Sequence, residues 1–120
     1  MNKDDIKTER DVIRFLGDRT QFEKAVYVAT FRIPKGKVCT YKRIAVMIGR
    51  PRAYRAVANA LHKNPLCPIV PCHRVVRSDG AFGGNKSRAK DRLKLVEKEG
   101  VPIADGKVKI RDRVLFQPET

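Results

Sequence analysis

Apolar residues recur at helical spacing along most of this chain. From Thr20 onward, Phe22, Val26 and Ala29 fall on one face, and Glu23 three residues after Thr20 reads as a capping box. Ile33-Pro34-Lys35-Gly36 stops that helix in a turn. Thr40 is placed to cap a short helix over 41–48, with Ile44, Ala45 and Ile48 inward. Gly49 suits the left-handed position after a helix end. Pro51 opens a second helix over 52–62, where the missing N–H of proline costs nothing. Ala53, Ala56, Val57, Ala60 and Leu61 mark its inner side. Ser87 is placed to cap a last helix reaching Glu99, with Leu93, Leu95 and Val96 apolar and Gly100 as its stop. A further helix over 4–16 ends at Gly17.

Period-two alternation is scarce. Asp105-Gly106 between Ile103 and Val108 signals one short hairpin. These elements predict a mainly α fold: a winged-helix-like helix-turn-helix domain over 20–120 with a small C-terminal β hairpin. Residues 1–19 form a helical N-terminal extension.

Charge adds a partner. Lys and Arg number 27 against 13 Asp and Glu, a formal net charge of +14 on 120 residues. A surplus this large on a small domain points to a polyanion, above all nucleic acid. The small residues of the 52–62 helix let it approach a groove closely. No apolar run is long enough to span a membrane, which implies an intracellular protein. Three cysteines without a Cys-x-x-Cys pair argue against a disulfide framework. Cys67, Cys72, His62 and His73 match no usual zinc spacing, so no metal is expected.

The candidate chemistry follows a proline-rich stretch, Asn64-Pro65-Leu66-Cys67-Pro68-Ile69-Val70-Pro71, read as a stiff extended loop. It delivers Pro71-Cys72-His73-Arg74-Val75-Val76, a thiol directly beside an imidazole. The thiolate is the nucleophile, and a proton-accepting His or a cationic field makes it accessible. Beyond it, Ser78-Asp79-Gly80 makes a turn, and Phe82-Gly83-Gly84-Asn85 makes a loop that a ligand can approach.

Thr40-Tyr41, Tyr54-Arg55-Ala56-Val57, Asn64-Pro65, Pro71 to Val76 and Glu99-Gly100 occur in this order. Together they resemble the C-terminal domain of the O6-alkylguanine-DNA alkyltransferases over about residues 20–105. The resemblance implies a monomer that binds the minor groove of double-stranded DNA and flips out an O6-alkylguanine. The alkyl group then passes irreversibly to the protein's own Cys72, with no cofactor. It implies His73 as a base acting through water, Glu99 as its orienting partner and Asn64 as the hinge of the active-site loop. Arg55 would fill the vacated base stack and Tyr41 would crowd the 3′ phosphate. Ala53, Tyr54, Asn59 and Arg74 would contact DNA, and Leu61, Val75, Gly83, Gly84 and Asn85 would line the substrate pocket. The implied location is the cytoplasm, with the nucleoid.

The chain departs from the family pattern at three places. Asn85 stands where the family has a pocket tyrosine, which implies a more open pocket. Tyr54 is bulky where a small residue is usual, and Cys67 replaces a proline as a bystander thiol. The family also has short sensor relatives that bind the lesion without transfer. They typically carry tryptophan at the position of Cys72, and this chain has no Trp.

Overall fold

The computed structural model describes residues 3–117. Five helices form the body: α1 (Glu9–Leu16), α2 (Gln21–Phe31), α3 (Tyr41–Met47), α4 (Tyr54–His62) and α5 (Lys86–Lys98). Two strand pairs complete it. β1 (Cys39–Thr40) runs parallel to β2 (Val75–Val76), and β3 (Ile103–Ala104) pairs antiparallel with β4 (Lys107–Val108).

Local capping chemistry sets most boundaries. Thr20 and Thr40 accept hydrogen bonds from the N–H of Glu23 (3.1 Å) and Arg43 (3.1 Å), opening α2 and α3. The reciprocal capping box sits at α1 instead, where Thr8 accepts from Asp11 and the Asp11 carboxylate accepts from the Thr8 N–H. That box starts α1 at Glu9, leaving Asp4 and Asp5 of the predicted helix in a separate 3₁₀ turn, Lys3–Asp5. Asn85, two residues before Ser87, caps α5: its Oδ1 accepts from the Arg88 N–H at 2.9 Å. Asn and Ser cap equally well, and Asn85 has the extended backbone a cap needs.

α3 and α4 pack on each other as the predicted helix-turn-helix. Gly49 (φ +78°) makes the turn, and the Arg50 N–H returns to the Ala45 carbonyl at 2.9 Å. α4 starts at Tyr54, later than predicted, because Arg50 to Ala53 close a separate turn (2.9 Å). Below the pair, α2 sends the fully buried Val26 and Tyr27 into the core. The Tyr27 hydroxyl donates to the Ala60 carbonyl at 2.7 Å, tying α2 to α4. Burying each such side chain is worth about 1.5–3 kcal/mol. α1 lies on α2 and buries Val12 and Leu16.

A second core holds Val38, Val76, Phe82, Val96, Val101 and Val108, joining α5 to the hairpin. The hairpin docks on the turn at Gly80, whose carbonyl accepts from the Val108 N–H at 2.9 Å. A side chain at Gly80 would lie 2.2 Å from the Val108 carbonyl oxygen, so this approach requires glycine. The chain end returns as well: Val38 bonds Val114 and Phe116, both at 2.7 Å.

Candidate active site

Cys72 opens a single 3₁₀ turn, Cys72–Arg74, that leads directly into β2. The loop before it folds back on itself, rather than extending, because Asn64 brackets it. The Asn64 amide donates to the Val70 carbonyl at 2.8 Å, and its oxygen accepts from the Leu66 N–H at 2.9 Å. The Val70 N–H also reaches the Leu66 carbonyl at 2.9 Å. Asn64 therefore braces the loop that carries the thiol.

The thiol faces a hollow of about 250 Å³ with Leu61, His62, Asn64, Cys67, His73 and Arg92 in its wall. Cys72 is pulled well below the ordinary thiol range. The Cys67 thiol, as donor, contributes most; burial opposes it, and Asn64, Arg92 and His73 add to the lowering. Cys67 is pushed up by the same contact. Both cysteines line the hollow, so Cys67 stands beside Cys72 rather than apart from it.

His73 is buried, with Nε2 3.2 Å from Glu99 Oε2. Arg74 grips the same carboxylate at 2.9 and 2.6 Å and holds the Ile33 carbonyl at 2.8 Å. Arg74 hydrogen bonding, ahead of His73, holds Glu99 below the usual carboxylate range. An ionised carboxylate only accepts, so His73 Nε2 donates. In the neutral ring, Nδ1 is then the acceptor, and Nδ1 is buried without a protein partner. Arg74, expected on DNA, is instead committed to this tie.

The neighbouring wall is aromatic. The Tyr41 and His62 rings meet edge to face, with centroids 6.3 Å apart. Tyr41 Oη and His62 Nε2 are both buried without hydrogen-bond partners. Both converge on Gly83, where a side-chain carbon would lie 2.5 Å from Tyr41 Oη and 3.1 Å from His62 Nε2. Of the expected pocket residues, Leu61 lines the thiol hollow and Gly83 the adjoining groove. Val75 is fully buried in the core as part of β2, and Asn85 is used as a helix cap, with Gly84 exposed beside it.

That groove, about 560 Å³, runs along the outer face of α3 and α4 and shares His62 with the thiol hollow. Arg55 and Tyr54 line it and are exposed, together with Lys42 and Arg77. The Lys42 ammonium sits over the Tyr54 ring at 5.4 Å. Asn59 is exposed one helical turn after Arg55, and Ala53 forms an N-cap without a side-chain hydrogen bond.

The profile of "6-O-methylguanine DNA methyltransferase, DNA binding domain" matches residues 21–101. The chain belongs to this methyltransferase family. It is 48% identical over 81 residues to a methylated-DNA–protein-cysteine methyltransferase of Methanosarcina barkeri, covering 68% of this chain and 51% of that protein. The fold resembles Mycobacterium tuberculosis O6-methylguanine methyltransferase (TM-score 0.64, 40% identity, 68% of this chain and 49% of that one). It also resembles S. pombe Atl1 in complex with damaged DNA containing O6-carboxymethylguanine (TM-score 0.69, 34% identity, 83% of this chain and 99% of that one). The chain therefore spans about half the length of the methyltransferases it matches. The family match contains Tyr41, Arg55, Asn64, Cys72, His73 and Glu99; α1 and the hairpin lie outside it.

Sequence reading missed three residues at the hollow: Arg92, His62, and Cys67 as the neighbour of Cys72. Arg92 is buried, with Nη1 donating to the Gly83 carbonyl at 3.2 Å and Nη2 4.0 Å from Cys72 Sγ. It lies on the inner face of α5 with Val96, whereas Leu95, expected there, is exposed. Among the described residues no helix is long and apolar enough to cross a membrane, and no His, Cys, Asp or Glu cluster could hold a metal ion.

Proposed function

We propose that this chain repairs O6-alkylguanine in duplex DNA by moving the alkyl group onto Cys72 once and irreversibly. The supporting observation is one hollow that combines a thiol pulled toward its thiolate with buried, unpartnered polar atoms of His62 and His73, and that shares His62 with a groove where Tyr41 Oη is likewise buried and unpartnered. Buried polar groups are normally satisfied, so such a cluster suits a site that a polar ligand completes.

The alkyl group on O6 lies inside the duplex, so the base must leave the stack before attack. The exposed face of α4 would dock in the minor groove, with Arg55 filling the vacated space and neutralising phosphate. Tyr41 and Gly83, on the boundary between groove and hollow, would guide the nucleotide inward. His73 Nδ1 would take the thiol proton through a water, while Glu99 holds Nε2. The thiolate then forms an S–C bond as the C–O6 bond breaks, and the guanine left behind takes up a proton. The product is a thioether, and no residue of the site regenerates the thiol. The protein would act as a monomer on nucleoid DNA in the cytoplasm.

Loss of lesion from a duplex carrying a single O6-methylguanine tests this reading. The expected result is one lesion removed per protein, then a halt. Continued turnover, or no loss at all, would contradict it. Arg55→Ala should slow transfer from duplex by about 10- to 100-fold, the worth of a lost stacking contact, and leave reaction with the free alkylated base unchanged. Equal losses on both substrates would remove the stack-filling role.

A second reading is a lesion sensor without transfer. The likeness to S. pombe Atl1, a structure in complex with damaged DNA containing O6-carboxymethylguanine, favours it. Tight lesion binding with no loss of alkyl group would select it.

A further inference from the structure

We propose that Arg92 is the fixed counter-ion of the Cys72 thiolate, activating the thiol independently of the His73–Glu99 pair. The inference rests on the reading of Cys72 as the nucleophile and adds a residue to that site.

Arg92 is 8% exposed. A guanidinium taken out of water is expected to face an anion. Among the described residues, no carboxylate lies within ion-pairing reach of Arg92: Glu99 is engaged by Arg74 and His73, and the adjacent Asp91 is exposed. The guanidinium donates to the Gly83 carbonyl at 3.2 Å and reaches Cys72 Sγ at 4.0 Å, with the Tyr41 hydroxyl also beside it. The first fixes its orientation, and the second becomes an ion pair when the thiol ionises.

Of the other groups around the thiol, only His73 supplies such a charge, and it contributes less than Arg92. His62, from α4, is held neutral: burial lowers it, and Arg92, Arg88 and Arg77 lower it further. Tyr41, from α3, is pushed up by burial and also stays neutral. Asn64 and Cys67, from the loop, are neutral donors. His73 turns Nε2 to Glu99. Arg88 is exposed and gives its guanidinium to the His62 carbonyl at 3.2 Å. Asp91 carries the opposite sign.

Arginine does not lose its proton in proteins, so this stabilisation persists at pH values where an imidazole changes state. The reaction of Cys72 with iodoacetamide, in which thiolate displaces iodide, reads the thiolate without DNA. A failure here is therefore distinct from a failure of alkyl transfer. Peptide mass assigns the modified cysteine. In Arg92→Gln the midpoint of the rate–pH curve should rise by about one to three pH units, and Arg92→Lys should recover most of the shift. An unmoved midpoint in Arg92→Gln, or an equal rise in both variants, would overturn the proposal. Should Arg92→Gln fail to fold, nitrogen NMR of the Arg92 side chain in the unmodified protein decides. Its resonance should titrate with the Cys72 midpoint and stop doing so in Cys72→Ser. A resonance indifferent to Cys72 ionisation would overturn the proposal equally.

Discussion

Cys39 and Cys72 are both buried free thiols on segments joined by one strand pair, yet the fold drives their chemistry in opposite directions. Cys39 lies in β1, fully enclosed by the core, and burial pushes it up to about 11. Cys72 is 5% exposed and is pulled down. Burial acts on both; the difference lies in what each sulfur meets. At Cys39 burial outweighs the Thr40 backbone N–H and the Arg43 charge, whereas at Cys72 donors from the folded-back loop and α5 outweigh burial. The low value of Cys72 comes from preorganised donors, not from exposure.

Exchanging the two thiols gives the largest expected effect. Cys72→Ala should abolish transfer while lesion binding, measured by band shift, remains. Cys39→Ala should leave transfer per folded molecule unchanged. Transfer that survives Cys72→Ala would erase the contrast.

Removing the ion pair behind Cys72 comes next. Glu99→Ala leaves Arg74 and His73 largely buried without their partner and should cost about 3 kcal/mol in denaturant unfolding. The pH dependence has a definite sign. The folded-state value of Glu99 lies below its unfolded value, so its contribution is present above the unfolded carboxyl range and is lost as pH falls through the folded value. Glu99→Gln should flatten the acid limb of the stability–pH curve. An unchanged limb would show that the pair does not hold the corner.

The smallest effect sharpens the boundary of the site. Asn85→Ala removes the α5 cap and should cost about 1 kcal/mol of stability. Transfer should be nearly unaltered, because the Asn85 side chain serves the helix. A large loss of transfer with unchanged stability would return Asn85 to the pocket.

The sequence makes the helix-turn-helix readable because its signals are local: Thr40 caps, Gly49 turns, and Ile44 and Ala45 point inward. The Cys72–His73 pair is legible for the same reason, since both residues stand in one short motif. Elements defined by distant partners are not. β1 and β2 contribute two residues each and pair Cys39 with Val75, a register that no local pattern announces. Arg92 reads as surface charge within Arg88-Ala89-Lys90-Asp91-Arg92, yet the packed face of α5 takes Arg92 and Val96 and leaves Leu95 out. The spacing of Ala89, Leu93 and Val96 carries that phase, and a cation inside the stripe was its only signal. Cys67 meets Cys72 because Asn64 folds the loop back, which proline count alone does not reveal.

The most direct measurement is intact-protein mass after incubation with duplex DNA carrying one O6-methylguanine, followed by peptide mapping across Cys39, Cys67 and Cys72. The account predicts a gain of one methyl, on Cys72 alone, matching the lesion lost. Methylation of Cys39 or Cys67, or an unchanged mass beside tight lesion binding, would contradict it.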